Sequence, residues 1–92
     1  MAWEIKFLPG ALKEFQKLAK RDLGAARRID AFLIKRLAAL DNPRMAGQAL
    51  KGKELGDLWK YRVGDYRIIA DIRDSEIVIL IVRIGNRKDV YR

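Results

Sequence analysis
The apolar positions of this chain change period along its length, and each change predicts an element. Trp3, Ile5 and Phe7 alternate with Glu4 and Lys6, the two-residue repeat of a half-buried strand. Pro9 follows, a residue suited to a first helical turn because its missing N–H has no intrahelical partner there. Ala11, Leu12, Phe15, Leu18 and Ala19 then fall on one helical stripe, with Lys13, Glu14, Lys17 and Lys20 on the other side. Asp22 stands where it would cap a second helix. The core stripe of that helix is Ala26, Ile29, Phe32, Leu33, Leu37 and Leu40, and Arg27, Arg28, Lys35 and Arg36 lie mostly outside it. The helix is expected to stop before Pro43, because a proline pushes the preceding Asn42 out of the α region.

Residues 41–57 are polar, contain glycine and hold no sustained period, so they predict a connection with at most a short turn. Three strand-like runs follow, Leu58–Val63, Tyr66–Arg73 and Glu76–Ile84, the last ended by Gly85-Asn86. A strand, two helices and then an antiparallel β-meander predict an α+β fold with the helices packed on one sheet face. The length predicts a single domain over residues 1–92.

The connection between the first two runs of the meander is two residues long, Gly64-Asp65, the signal of a type II′ hairpin turn. Such a turn sets Arg62 opposite Arg67, Tyr61 opposite Ile68 and Lys60 opposite Ile69. Side chains alternate faces along a strand. Lys60, Arg62 and Arg67 therefore share one face, while Trp59, Tyr61, Ile68 and Ala70 fill the other. Like charges directly opposite each other are unfavourable. The cluster is thus either a solvated basic face or a clamp for a phosphate group, with arginine as fork and lysine as point charge. The run Ile77–Ile84 is apolar on both faces apart from Arg83. One face is expected against the helices. The other, carrying Val78, Leu80 and Val82 or Ile77, Ile79 and Ile81, is expected either to stay open as a partner surface or to be covered by the 41–57 connection.

Composition narrows the chemistry. The chain has 92 residues, 20 Lys+Arg against 12 Asp+Glu, a net charge of +8, and neither cysteine nor histidine. Disulfides, zinc or haem ligand sets, thiol chemistry and an imidazole base are therefore excluded, and no cofactor is expected. No apolar run approaches the ~18 residues of a membrane span, and the N-terminus lacks the pattern of a signal peptide. A cytoplasmic protein with a polyanionic partner and no membrane association is the expectation. Nine cations and four anions lie in residues 1–40, eleven and eight in 41–92, so charge alone marks no site.

The hairpin and its surroundings resemble the RelE branch of the RelE/ParE superfamily of toxins. The resemblance runs through PGALKEFQKL, LKGK at 50–53, WKYRVGDYRIIADI at 59–72 and IGNRKDVY at 84–91. It implies the toxin of a type II toxin–antitoxin module, a ribosome-dependent endoribonuclease that cuts mRNA in the A site and blocks translation. It further implies a cognate RelB-like antitoxin, in a heterotetramer with it, and the ribosome and mRNA as the other partners. By this resemblance Lys60, Arg62, Arg67, Arg87 and Tyr91 are the catalytic set, and Lys51, Lys53, Arg83 and Lys88 are expected to bind RNA. Arg62 stands where the family often carries lysine, a swap that keeps the charge and removes an amine able to exchange a proton. The hairpin is shorter than in some relatives, and the family's C-terminal helix has no counterpart. An alternative is a ParE-like inhibitor of DNA gyrase without RNase activity; a third reading is a nonenzymatic basic RNA-binding module or a decayed toxin.

The same residues suit RNA cleavage on chemical grounds. The RNA's own 2′-OH attacks the neighbouring phosphate if a group removes its proton, another stabilises the added charge, and a third protonates the leaving 5′-oxygen. Arg62, Arg67 and Arg87 supply the electrostatic part. Lys60 is a candidate base, and Tyr91 a candidate acid, base or base-stacking platform.

Overall fold
The computed structural model describes residues 2–50 and 58–88. The elements run β1 (Glu4–Phe7), α1 (Pro9–Arg21), α2 (Leu23–Ala31), β2 (Gln48–Ala49), β3 (Trp59–Val63), β4 (Tyr66–Arg73) and β5 (Val78–Asn86). They form an α+β fold built on one five-stranded mixed sheet of order β1-β5-β4-β3-β2. β1 pairs parallel to β5, with Ile5 beside Ile79 and Phe7 beside Ile81, and the β2–β3, β3–β4 and β4–β5 pairs are antiparallel. The helices lie on one sheet face. Ala11 and Leu18 of α1, with Ala25, Ala26 and Ile29 of α2, pack into one core with Tyr61, Ile68, Ala70, Ile79, Ile81 and Ile84. Their removal from water is what holds the layers together.

Local signals act where the sequence places them. Pro9 opens α1, and the Asp22 carboxylate caps α2 by accepting from Ala25 N at 3.0 Å. Asn42 is extended ahead of Pro43, which begins a short 3-10 turn, Pro43–Met45. Gly64 has a φ of 58° and Asp65 does not adopt positive φ, the signature of the II′ turn.

Several expectations are corrected. Leu12 belongs to the α1 stripe but is 42% exposed, because the stripe is wider than the sheet it covers. The second helix does not continue as α: Phe32–Leu37 is a π-turn in which Ala38 N donates to Leu33 O at 2.9 Å. The wide turn takes in an extra residue while Leu33 and Leu37 both stay buried. The 41–57 connection contains a strand, β2, which adds to the edge of β3 through Gln48 and Ala49. Gly85-Asn86 does not end the last strand, since both pair with the hairpin, at Arg67 and Tyr66. Nor does that strand begin at Glu76: Asp74–Glu76 is a 3-10 turn closed by Ile77 at φ 55°.

The apolar face expected to lie open on β5 is only partly exposed. Ile79 and Ile81 face the helices, while Val78 on the other face is buried and Leu80 and Val82 are half-buried. A register shift between Ile69 and Ala70 of β4 places Ile81 and Ile84 both in the core.

Candidate functional site
The hairpin register is the one the two-residue turn dictates: Arg62 pairs with Arg67, Tyr61 with Ile68 and Lys60 with Ile69. Tyr61, Ile68 and Ala70 are buried in the core and Trp59 packs against it. The parity of the strands therefore carries Lys60, Arg62 and Arg67 to the other face, and all three line one cavity of about 480 Å³. Its remaining wall comes from Ala46, Gly47 and Gln48 at the β2 edge and from Phe32 and Arg36 of the π-turn. A second void of about 530 Å³ adjoins it, lined by Arg28, Lys35, Arg36, Phe32, Arg62 and Val63 among others. No Asp or Glu lines either cavity among the described residues. The sum is a concave surface with six cations and no acid, the form of an anion site.

Local bonds set the pose of each group. Arg67 Nη1 donates to the carbonyls of Gly64 and Tyr66, both at 3.0 Å, so its guanidinium folds back on the hairpin turn. That tether fixes one end of the guanidinium, across the strand pair from Arg62. Lys60 rides on a strand segment clamped from both sides. The Tyr61 hydroxyl donates to Pro43 O at 2.7 Å and Trp59 Nε1 to Ala46 O at 2.7 Å. Burial holds the Tyr61 hydroxyl protonated well above the ordinary phenol range, with Arg44 opposing weakly. It is held as a donor to Pro43 O.

Arg87 is brought to the same hairpin from the other side. Its N–H donates to Asp65 O at 2.9 Å, one residue from the Gly64 carbonyl that holds Arg67. With Lys88, Asn86, Asp65 and Arg21 of α1 it lines a separate cavity of about 380 Å³. Arg83 lies elsewhere: its guanidinium pairs with Glu14 at 3.4 Å, on the α1 side. Tyr91, Lys51 and Lys53 fall outside the described residues. Lys60, Arg62 and Arg67 thus share one cavity, Arg87 and Lys88 flank the turn beside it, and Arg83 serves a helix contact.

Sequence reading missed Arg28, Lys35, Arg36 and Phe32 as residues lining these cavities. The three cations sit on the outer face of the helix, and Phe32 counts in its core stripe, so periodicity gives no cue. Gly47 was also missed, though it approaches the Lys60 backbone so closely that a Cβ would collide with it. Among the described residues no group of three or more His, Cys, Asp or Glu could hold a metal ion, and no helix is long and apolar enough to cross a membrane.

Residues 5–91 match the family described as the ParE toxin of type II toxin–antitoxin systems. A RelE-like toxin protein of Escherichia coli is 32% identical over 93 residues, covering 99% of this chain and 92% of the relative. The RelE–RelB complex of the archaeon Pyrococcus horikoshii contains a chain 29% identical with a TM-score of 0.70, and the match covers 98% of this chain and 100% of that one. The RelBE2 toxin–antitoxin complex of Mycobacterium tuberculosis shares the fold, with a TM-score of 0.79 at 24% identity over 97% of this chain and 95% of that one.

Proposed function
The chain belongs to the ParE toxin family of type II toxin–antitoxin systems, on its RelE branch, and from that premise we propose that it cleaves mRNA in the ribosomal A site. The observation that carries this reading is the meeting of Lys60, Arg62 and Arg67 in one cavity lined by no carboxylate. The substrate is a phosphodiester with its own nucleophile. The ribose 2′-oxygen forms a bond to the adjacent phosphorus as the P–O5′ bond breaks, giving a 2′,3′-cyclic phosphate and a free 5′-OH. The 2′-OH proton leaves to a base, for which Lys60 is the candidate, and the departing 5′-oxygen takes up a proton, for which Tyr91 is the candidate. Arg62 and Arg67 neutralise the charge that builds on the non-bridging oxygens, and Arg87 approaches from beyond the turn. With no histidine to move protons, the site depends on the geometry of the strand it receives. A ribosome that holds the mRNA in a cleavable conformation supplies what the side chains lack.

The proposed partner that restrains the toxin is a RelB-like antitoxin, as in the complexes its relatives form. Binding over the face carrying Lys60 and Arg62, or displacement of Tyr91, would silence it. The toxin would act in the cytoplasm, where translating ribosomes are.

The test uses translating ribosomes on a programmed mRNA, with gyrase supercoiling assayed in parallel. Codon-phased breaks are expected from the wild type, reduced about 10²–10³-fold by Arg67→Ala, the usual cost of losing one charge-stabilising donor. Arg87→Ala is expected to lose cleavage with little change in Tm, because Arg87 is exposed beyond the last strand. Intact mRNA together with blocked supercoiling would overturn the assignment in favour of a gyrase inhibitor.

A further inference from the structure
We propose that Arg36, laid over the Phe32 ring, is a further substrate-binding residue that holds a phosphate next to the scissile one. The inference rests on the RNA-cleavage reading above and extends the site from the hairpin to the π-turn that lines the same cavity.

The argument begins with the backbone. Between the buried Leu33 and Leu37, residues 34–36 are exposed. Single-turn π segments interrupt the regular α ladder and recur at functional sites. Phe32 and Arg36 are four residues apart, neighbours on the helix surface. The Arg36 guanidinium carbon lies 5.8 Å from the Phe32 ring centroid, and that ring in turn packs on Tyr61 at 5.7 Å. An arginine over an aromatic face is held by the ring quadrupole, which orders its long side chain before any ligand arrives.

The second observation is what the pair faces. Phe32, Arg36 and Arg62 line both the 480 Å³ and the 530 Å³ cavities, so a helix cation and a strand cation front one continuous void from different walls. Among the described residues neither arginine makes an ion pair. The carboxylates that form pairs do so elsewhere, with Lys6, Arg44, Arg73 and Arg83. Facing cations without a counter-charge are unfavourable unless an anion sits between them. A polynucleotide presents such anions in series: with the scissile phosphate at Arg62 and Arg67, the neighbouring one reaches the wall that Arg36 supplies. Arginine suits this role because its fork engages phosphate oxygens in pairs while its plane stays on the ring.

The experiment measures mRNA cleavage on programmed ribosomes at varied complex concentration, using messages with a neutral methylphosphonate at each position around the cut in turn. Arg36→Ala is expected to raise KM about tenfold with kcat changed less than about twofold, the pattern of lost ground-state binding. Arg36→Lys is expected to recover part of that loss. At one position the methylphosphonate is expected to cost the wild type about as much as Arg36→Ala, and to cost the variant nothing further. Arg27→Ala removes a cation of the same helix that lines neither cavity, and its KM is expected to stay within about twofold of wild type. If Arg36→Ala behaves like Arg27→Ala, or if no methylphosphonate position is masked by it, the inference falls while the cleavage reading stands. If the wild type cuts no message, the reading itself falls and this inference with it.

Discussion
Gly47 shows how one residue without a side chain shapes the site. It sits at φ +73°, a region L residues rarely adopt, and a Cβ there would press into the Lys60 carbonyl oxygen, with Tyr61 Cδ1 at 2.8 Å and Trp59 Nε1 at 3.0 Å. Those contacts are with backbone and with two aromatic rings already anchored to Pro43 and Ala46, so little can move aside. Gly47→Ala is expected to cost about 2–3 kcal/mol from overpacking and the left-handed backbone. In a domain of this size that lowers Tm by roughly 10–20 °C. Cleavage is expected to fall as well, because the displaced segment is the one that carries Lys60. Gly10→Ala is the control: nothing lies within 4 Å of a Cβ there, and alanine in a helix is neutral or stabilising by up to about 1 kcal/mol. Thermal denaturation of both variants separates close packing from a general intolerance of glycine replacement. At the opposite end of the sheet, Arg44 reaches Asp74 with both terminal nitrogens, at 2.8 and 2.9 Å, and holds that exposed carboxylate below the usual range. The pair therefore persists to lower pH than an unpaired aspartate would allow.

At the scale of elements, the parts of the fold legible in the sequence are those whose cause is local. Gly64-Asp65 fixes the hairpin register, and through strand parity that register alone gathers Lys60, Arg62 and Arg67 on one face. Pro9, Asp22 and Pro43 mark helix ends by their own backbone and side-chain chemistry. The illegible parts are those decided by a distant partner. A two-residue strand such as Gln48–Ala49, exposed at both positions, has no alternation to detect, and it exists because β3 offers an edge. Gly85 is a strand residue because Arg67 lies across from it. The π-turn adds its residue without disturbing the buried positions around it, so the apolar pattern hides it together with the orientation of Arg36.

Glu14 illustrates the same dependence on a distant partner. β1 pairs with Val78–Ile81 before the chain turns into α1, and among the described residues no strand pairs with the rest of that β5 edge. Glu14 fills part of the gap: its Oε1 accepts from Ile84 N at 3.1 Å, and its Oε2 pairs with Arg83 at 3.4 Å. Glu14→Gln keeps an acceptor for the strand amide and loses a half-exposed ion pair, so it is expected to cost less than about 1 kcal/mol. Glu14→Ala strands the amide as well and is expected to cost about 1–3 kcal/mol. Denaturant titration of the two variants reads the difference, and equal losses would mean that the ion pair, rather than the strand amide, is what Glu14 serves.

For the whole molecule, the arrangement of charge says more than its total. The net charge of +8 is spread along the sequence, yet folding sorts it. At the β4–β5 turn, Asp71, Asp74 and Glu76 are paired with Arg44 and Arg73. Around the β3–β4 hairpin and the facing helix, Arg28, Lys35, Arg36, Lys60, Arg62 and Arg67 line cavities into which no acid projects among the described residues. One end of the sheet is close to neutral and the other is strongly positive, so a polyanion is drawn to the hairpin end before any specific contact forms. Counterion release makes that polarity measurable. If about four phosphates of a single-stranded RNA are neutralised in the cavities, the logarithm of affinity falls against the logarithm of salt with a slope of about −3. Fluorescence anisotropy of a short labelled RNA carrying 2′-deoxy sugars, titrated between 50 and 200 mM KCl, is expected to give that slope with the wild type. Arg62→Ala is expected to make it shallower by about 0.7, one phosphate's share for a single strand. Arg73→Ala, at the neutral end, is expected to leave it unchanged. Equal flattening by both variants would mean that RNA reads the total charge of the protein and not the sorted end.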